Sequence, residues 1–183
     1  DIDKSKAVFG ISLGDLVGDD LVLHPDYKNA IKQIGLPWYN VMGNHDMNYD
    51  AKIDEHSDET YEANFGPNNF SFNYGKVHFI ILDNWGGLRE DQLKFIENDL
   101  KHVPKDHLVV LSFHIPLEDN NSEWFRVADR ERLFDLLKDF PNTLSMSAHT
   151  HIQQQIFYGK DKGWKQGKAH HEYNVGTTSG DWY

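Results

Sequence analysis

The stretch Trp38-Tyr39-Asn40-Val41-Met42-Gly43-Asn44-His45-Asp46 contains a short apolar run that ends in a glycine and three polar side chains. The apolar run predicts a buried strand. Asn44, His45 and Asp46 then place a metal-ligand oxygen, a titratable ring and a possible orienting carboxylate on one loop. Because loops at strand ends carry the chemistry of α/β folds, we expect the functional site to form around this segment.

Strands and helices alternate on both sides of this segment. A strand is predicted over 7–13, and a helix begins at Pro25 and ends before Gly35. Farther along, the pattern predicts a helix over 59–65, a hairpin of 69–74 and 76–83, a helix over 89–102, a strand over 108–113, a helix around 133–137, strands over 144–147 and 152–158, and a last strand and turn within 173–183. This order predicts an α/β fold, an α/β/β/α sandwich of two mixed sheets flanked by helices.

The composition limits the class of protein. A chain of 183 residues with 39% apolar residues fits one globular domain. Its formal net charge of −11 disfavours electrostatic binding of nucleic acid, which needs clustered Lys and Arg, and indicates that phosphate would be handled with metal cations. Cysteine is absent, so the available ligands are imidazole, carboxylate and amide oxygen. No apolar run reaches the ~18 residues of a membrane span.

Four predicted strands end in side chains that can bind a metal: Asp15, Asn44 with His45, His114, and His149 with His151. Each residue alone is more often a turn residue, a cap or a solvated imidazole. Their recurrence at four strand ends predicts that they converge, because neighbouring strands of an α/β sheet end at one crevice. His149 and His151 would face the same side if their segment is extended.

The order of these motifs resembles that of the calcineurin-like metallophosphoesterases. The resemblance rests on Gly14-Asp15-Leu16-Val17-Gly18-Asp19, Gly43-Asn44-His45-Asp46, Ser112-Phe113-His114 and Ala148-His149-Thr150-His151, which together span most of the chain. Residues 91–100 are also similar to the helix that precedes the histidine-bearing strand in that family. The resemblance implies hydrolysis of a phosphate mono- or diester at two divalent ions, with manganese, iron or zinc as candidates.

The resemblance also implies a role for each site residue. Asp15 would bridge the ions, with Asn44, His114 and His149 completing the shell of one ion and His151 belonging to the other. The ions would activate a hydroxide that attacks phosphorus directly.

The remaining pair of the opening motif would act on the substrate. His45 would protonate the leaving alkoxide or hold the phosphate. Asp46 would fix the orientation of the His45 ring, although a simple cap of the following segment is its plainer explanation.

The chain departs from the family pattern at two places. Ala148 stands where glycine is usual, and the first motif of the family, an aspartate and usually a histidine on an earlier strand, has no counterpart beyond a weak likeness at Asp1-Ile2-Asp3. One metal shell would then lack two ligands, while that of Asp15, Asn44, His114 and His149 is complete. We therefore expect 1–183 to be one catalytic domain that is truncated at its N-terminus.

The end of the chain suggests a longer parent protein. Gly180-Asp181-Trp182-Tyr183 resembles the end of the catalytic domain in some bacterial cell-envelope relatives. The expectation is a further C-terminal domain in the parent protein and a location outside the cytoplasm.

Three other clusters have less specific interpretations. Trp85-Gly86-Gly87 and Glu123-Trp124-Phe125-Arg126 either line the rim of the crevice or pack on the domain. His170-His171-Glu172 is predicted to be a solvated loop, with a phosphate or metal contact as the alternative.

Two alternatives to an enzyme remain open at this level. The missing first motif also fits a metal-binding or ligand-binding domain that keeps the scaffold without turnover. The histidines could instead be structural parts of a protein-interaction domain. Since phosphatases, nucleotidases and diesterases share such motifs, the sequence leaves the substrate open.

Overall fold

The computed structural model describes residues 6–53, 56–118 and 125–178. These residues form four α-helices, α1 (His24–Lys32), α2 (Glu59–Phe65), α3 (Glu90–Leu100) and α4 (Val127–Leu137). They also form eight strands, β1 (Gly10–Ser12), β2 (Trp38–Asn40), β3 (Phe70–Tyr74), β4 (Val77–Ile81), β5 (Leu108–Ser112), β6 (Thr143–Ser147), β7 (Gln154–Tyr158) and β8 (His170–Asn174). Short 3₁₀ turns cover Leu21–Leu23, Asn44–Asp46 and Lys160–Lys162.

The larger sheet has six strands in the order β3-β4-β5-β6-β8-β7. Its four central strands are parallel, and β3 and β7 pair antiparallel at the two edges. The smaller sheet pairs β1 with β2 in parallel. Parallel strands end at the same edge of a sheet, so the polar residues after β1, β2, β4, β5 and β6 collect at one end of the molecule.

The main core lies between the larger sheet and two helices. Apolar residues three or four positions apart give α3 and α4 one buried face each. These faces cover the sheet through Leu93, Ile96, Leu100, Leu133, Phe134 and Leu137, packed on Ile80, Val109 and Leu111. Strand β5 is buried along most of its length, as expected for a central parallel strand.

A second core joins the two sheets. Leu13, Val41 and Ile81 are buried there, beside a column of aromatic rings. The rings of Tyr39 and Phe72 stack with centroids 3.9 Å apart, and Phe72 and Phe79 stack at 4.8 Å. The smaller sheet is therefore packed face to face on the larger one.

Helix α1 covers the outer face of the smaller sheet. The Tyr27 hydroxyl lies 2.7 Å from Ser12 Oγ on β1 and 2.6 Å from Asn40 Oδ1 on β2. The layers are thus α3 and α4, the six-stranded sheet, the two-stranded sheet and α1, which confirms the predicted α/β/β/α fold. The larger sheet is mixed, as predicted. The smaller sheet was also predicted to be mixed, but its two described strands run parallel to each other.

One predicted segment differs clearly from the observed one, and two others lie outside the described residues. The last strand is β8, which begins at His170 and ends at Asn174, whereas the prediction placed it within 173–183. Residues 179–183, and with them Gly180-Asp181-Trp182-Tyr183, lie outside the described part, as does Asp1-Ile2-Asp3. Within the described ranges, no helix has the length and apolar character needed to cross a bilayer.

Candidate metal centre

Two glycines allow the strand-end loops of β1 and β2 to touch. Gly14 has a φ of +95°, and a Cβ there would collide with the His114 ring. A Cβ on Gly43 would overlap the backbone nitrogen and carboxylate of Asp15. The His45 amide donates to Asp15 Oδ1 at 3.1 Å across this contact. Glycine at both positions therefore brings Asp15 against the loop that carries Asn44 and His45.

Four predicted ligands meet around one nitrogen, Nε2 of His114. That atom lies 3.1 Å from Asp15 Oδ2, 3.1 Å from Asn44 Oδ1 and 3.2 Å from His149 Nδ1. The ligand atoms of Asp15, His114 and His149 all lie within 4.8 Å of one another. Ligand atoms bound at about 2.1 Å to one ion are separated by roughly 3 Å, which these distances match.

The tautomer of His114 fits a cation at this point. Its Nδ1 lies 2.7 Å from the carbonyl oxygen of Leu13, which can only accept, so Nδ1 carries the hydrogen. In the neutral ring Nε2 then presents a lone pair toward the oxygens of Asp15 and Asn44. Three acceptor atoms this close need a positive charge between them, either a proton on Nε2 or a bound cation. A divalent ion would supply that charge.

The electrostatics of Asp15 agree with a ligand role. Burial acts to raise the pKa of its carboxyl, but the contact with His114 and the backbone hydrogen bond from His45 together hold that pKa below its usual range. The carboxylate form, which binds metals, is therefore favoured. Asn44 and His114 are also largely desolvated, at 7% and 2% exposed, whereas His149 is half-buried.

A buried asparagine holds the loop of His114. Asn84, three residues beyond the end of β4, accepts the backbone N–H groups of His114 at 3.2 Å and Ile115 at 2.9 Å. Its Nδ2 donates to the Ile115 carbonyl at 2.7 Å. The backbone on both sides of the His114 carbonyl group is thereby fixed by one side chain.

Backbone strain is concentrated at this end of the molecule. In the described residues, positive φ values at non-glycine positions occur at Asp15 (53°), Asp19 (66°), His149 (62°) and His151 (59°). Such left-handed conformations are costly for residues with a Cβ and persist where the surrounding structure enforces them. The segment of His149 and His151 is therefore a bent loop, and the extended geometry expected for it is wrong.

His151 lies on this loop but outside the close group. The described ligand atoms that cluster within 4.8 Å belong to Asp15, His114 and His149, and His151 is not among them. The structure thus brings together four of the five predicted ligands, counting Asn44.

His45 pairs with a carboxylate that the sequence did not single out. Its Nδ1 lies 2.7 Å from Asp19 Oδ1, and the two side chains are 32% and 58% exposed. Asp19 also receives its own backbone support, since its N–H donates to the His45 carbonyl at 3.2 Å. The orienting partner predicted for His45 was Asp46, but the contact at Nδ1 comes from Asp19.

Asp46 instead binds backbone in the interior. Its Oδ2 accepts the Gly43 N–H at 2.9 Å, and its carboxylate accepts the Leu16 N–H at 3.0 Å. It is fully buried, 3.7 Å from Nε2 of His24. The physical reason is the 3₁₀ turn of residues 44–46, which turns adjacent side chains in different directions. Asp46 therefore ties the Asp15 loop to the Asn44 loop, close to the capping role considered for it.

The His170-His171-Glu172 cluster is not a solvated loop, and that prediction is wrong. It forms most of β8, and His170 and Glu172 are fully buried. Burial raises the pKa of Glu172, whose carboxyl accepts from Ser147 Oγ at 2.5 Å and Tyr158 Oη at 2.6 Å. The cluster is a polar part of the core beneath the histidine loops.

The loops proposed as a rim are only partly described. Glu123 and Trp124 lie outside the described residues, whereas Phe125 is 4% exposed and packs in the main core. Trp85 packs at the edge of the main core and against a third, small core of Met42, Met47 and Tyr61. Of the two alternatives, the described aromatic residues, Trp85 and Phe125, therefore follow the second and pack on the domain.

The fold and the site together define a class of protein. This is a two-sheet α/β/β/α sandwich that gathers a carboxylate, an amide oxygen and imidazoles on the loops at its strand ends. The comparison with protein families agrees, since the calcineurin-like phosphoesterase family matches residues 2–153. The chain belongs to the calcineurin-like phosphoesterase family.

One curated relative is a probable glycerophosphodiester phosphodiesterase, GpdQ, of Arcobacter nitrofigilis. It is 30% identical over 147 residues, covering 73% of this chain and 52% of the relative. The chain thus spans about half the length of the curated relative it matches.

A solved structure described as GAP50, the anchor in the inner membrane complex of Plasmodium, has a similar fold. The TM-score is 0.56 at 17% identity, with 93% of this chain and 62% of the other covered. At that identity the likeness supports the fold alone.

Proposed function

We propose that this domain hydrolyses phosphate esters at a centre of two divalent metal ions, with His45 as the proton donor. The convergence of Asp15, Asn44 and His149 on Nε2 of His114, at 3.1 to 3.2 Å, is the observation that carries the proposal. Membership of the phosphoesterase family gives the class of reaction.

The residues present fit the ions that this chemistry uses. Oxygen and imidazole ligands without thiolate suit manganese, iron or zinc. Asp15, Asn44, His114 and His149 would hold one ion, and Asp15 would share a second with His151. Bound there, the ions would lower the pKa of a water molecule and offset the negative charge of the phosphate. That positive charge is needed because the chain carries a formal net charge of −11.

The chain's own residues supply the proton. Asp19 accepts the hydrogen of His45 Nδ1, which fixes the ring and makes Nε2 the nitrogen that exchanges a proton with substrate. As the water oxygen bonds to phosphorus, the ester P–O bond breaks, and Nε2 of His45 would protonate the departing alkoxide. The products are a phosphate with one ester fewer and a free alcohol.

A phosphodiester is the first substrate to test. The curated relative is a probable glycerophosphodiester phosphodiesterase, which supports a diester here, while the family description, phosphoesterase, does not specify the class of ester. In either case the chemistry described above is the same, because one alkoxide leaves.

The direct test is turnover of chromogenic diester and monoester substrates by the purified chain. The chain is stripped with a chelator and then supplied with manganese, iron or zinc, and bound metal is counted in parallel. We expect metal-dependent release of the chromophore, abolished by the chelator and restored by metal. A folded chain that binds metal but turns over neither substrate would contradict the proposal.

The alternative is a metal-binding domain without turnover on the same scaffold. It is supported by the finding that, in the residues described, one close ligand cluster is present and His151 lies outside it. Metal binding without hydrolysis in the experiment above would favour this alternative. Hydrolysis would exclude it.

A further inference from the structure

The side chain of Asn174 hydrogen-bonds the residues on both sides of His149. It is the last residue of β8 and is fully buried. Its Nδ2 donates to the Ala148 carbonyl at 2.5 Å, and its Oδ1 accepts the Thr150 hydroxyl at 2.7 Å. The residues immediately before and after His149 are thus held by the two ends of one amide.

The backbone at His149 needs such support. The Thr150 N–H donates to the Ala148 carbonyl at 2.7 Å, an i to i+2 hydrogen bond around a residue with a φ of 62°. A three-residue turn with positive φ is the rare and strained kind of γ-turn. Unsupported, the loop would relax to an ordinary conformation and carry the His149 ring away from His114.

The rest of β8 fixes the position of Asn174 itself. Asn174 pairs with Ser147 in the parallel register of β6 and β8, and its Nδ2 also lies 3.0 Å from Ser147 Oγ. The next residue, Val175, donates its N–H to the Ser147 carbonyl at 2.8 Å. The amide therefore sits on a rigid strand and can transmit that rigidity to the loop.

We propose that Asn174 is a positioning residue of the metal centre, which holds His149 Nδ1 within 3.2 Å of His114 Nε2. The inference rests on the proposed metal-binding function. Loss of a partner that orients a ligand weakens metal binding by roughly 10- to 100-fold, and we expect a loss in this range for Asn174→Ala.

The test measures manganese affinity of the full chain by titration calorimetry, which does not depend on turnover. Asn174→Ala removes the hydrogen bonds to both Ala148 and Thr150. Thr150→Val removes the hydroxyl that donates to Asn174 Oδ1 and leaves the bond to Ala148 in place. The double variant should bind no more weakly than Asn174→Ala, because both changes break the same hydrogen bond. Cobalt absorption spectra of the same variants report whether the ligand geometry has changed.

Asn68→Ala is the matched control. Asn68 is 6% exposed and its Nδ2 donates to Asp58 Oδ2 at 2.6 Å, so the change also removes a buried amide. It should lower the thermal unfolding midpoint while manganese affinity and the cobalt spectrum stay as in the wild type.

The outcomes separate the inference from the function on which it rests. Wild-type affinity in both Asn174→Ala and Thr150→Val would overturn the inference and leave the proposed function standing. A wild-type chain that binds no manganese would overturn the proposed function first. If circular dichroism shows that Asn174→Ala does not fold, Thr150→Val decides alone, with weaker binding expected and unchanged binding contradictory.

Discussion

The site has two halves that the fold treats differently. What we call the buried half consists of Asp15, Asn44, His114 and His149, of which Asn44 and His114 are buried and Asp15 and His149 are half-buried. The open half consists of Asp19, His45 and His151, of which His45 and His151 are half-buried and Asp19 is exposed. In the buried half the donor atoms are already 3.1 to 3.2 Å from one nitrogen, whereas His45 and Asp19 are 32% and 58% exposed. Ligand atoms held this close together are preorganised for an ion, and His45, the proposed proton donor, stays accessible to solvent.

The largest effect is expected in the buried half, from Asp15→Asn. Asparagine tolerates the left-handed backbone at this position, so the change removes charge with little change in shape. We expect bound manganese and turnover to fall to the level of the metal-stripped wild type. Metal content by elemental analysis and diester hydrolysis check this, with exposed Asp26→Asn as a control that retains both. A variant that keeps its metal would show that Asp15 is not a ligand.

The next effect separates the open half from the buried one. His45→Asn should lower kcat by about 10²- to 10⁴-fold, the usual contribution of general acid catalysis. Bound manganese should stay at the wild-type level, because the donor atoms of the buried half are unchanged. Stopped assays and metal analysis on one preparation test both statements, with exposed His56→Asn as the control. Loss of metal along with activity would make His45 a ligand.

A smaller effect is expected from the partner of His45. Asp19→Asn keeps the size and the left-handed backbone but weakens the hold on Nδ1, so we expect kcat to fall roughly 10-fold through misorientation of the ring. The KM and the thermal midpoint should change little, because Asp19 is exposed.

Asp46→Asn is the contrasting carboxylate change. The asparagine side chain has one acceptor oxygen and an NH₂ group, whereas both carboxylate oxygens of Asp46 accept from the backbone N–H groups of Gly43 and Leu16. The free energy of unfolding should therefore fall by about 1–3 kcal/mol. If Asp46→Asn were stable and only slow, and Asp19→Asn were fully active, Asp46 would be the orienting residue after all.

The smallest effect lies beneath both halves, at His170. Burial, aided by the charge of His171, lowers the pKa of His170 to about 3. The unfolded chain takes up a proton near pH 6.5, but the folded chain does not, so stability is complete above pH 6.5 and is lost as the pH falls toward 3. Between pH 7 and pH 5 the contribution of His170 to the free energy of unfolding falls by about 2 kcal/mol.

Denaturant unfolding of the wild type and His170→Gln at several pH values measures this term. The difference in unfolding free energy between the two should shrink by that amount on going from pH 7 to pH 5. A difference that is constant with pH would show that folding does not lower the pKa of His170.

The sequence predicted that the four side chains of the buried half converge, because convergence follows from strand order. Asp15, Asn44, His114 and His149 all come directly after strands, and parallel strands place such residues at one edge whatever the loops do. The close approach of the loops at Gly14 and Gly43 was not predicted and became visible only in the structure. The same logic predicted the layers of the fold, since apolar periodicity decides which faces are covered.

The contacts of the open half and of the buried polar residues could not be predicted, because they depend on local geometry that the periodicity of the sequence does not show. Asp46 is next to His45 in sequence, yet the 3₁₀ turn sends it inward and leaves Asp19 as the contact of the ring. His170 and Glu172 are polar and were expected in solvent, but hydrogen bonds to Ser145 and Ser147 satisfy them within the core.

The asparagines at 84 and 174 were missed for a related reason. Asn84 follows the largely apolar β4 and Asn174 ends the polar β8, which are weak signals, and the contacts of both asparagines are made with residues far away in sequence. An asparagine at the end of a strand that adjoins a histidine-bearing loop is the pattern that would have found them.

The most direct measurement is anomalous diffraction from crystals of this chain grown with manganese. We expect an anomalous peak within bonding distance, about 2.1 Å, of Asp15, Asn44 Oδ1, His114 Nε2 and His149 Nδ1. We also expect His45 to stay paired with Asp19 and off the metal. No peak at this position, or a peak ligated by His45 in place of His114, would contradict the proposed metal centre.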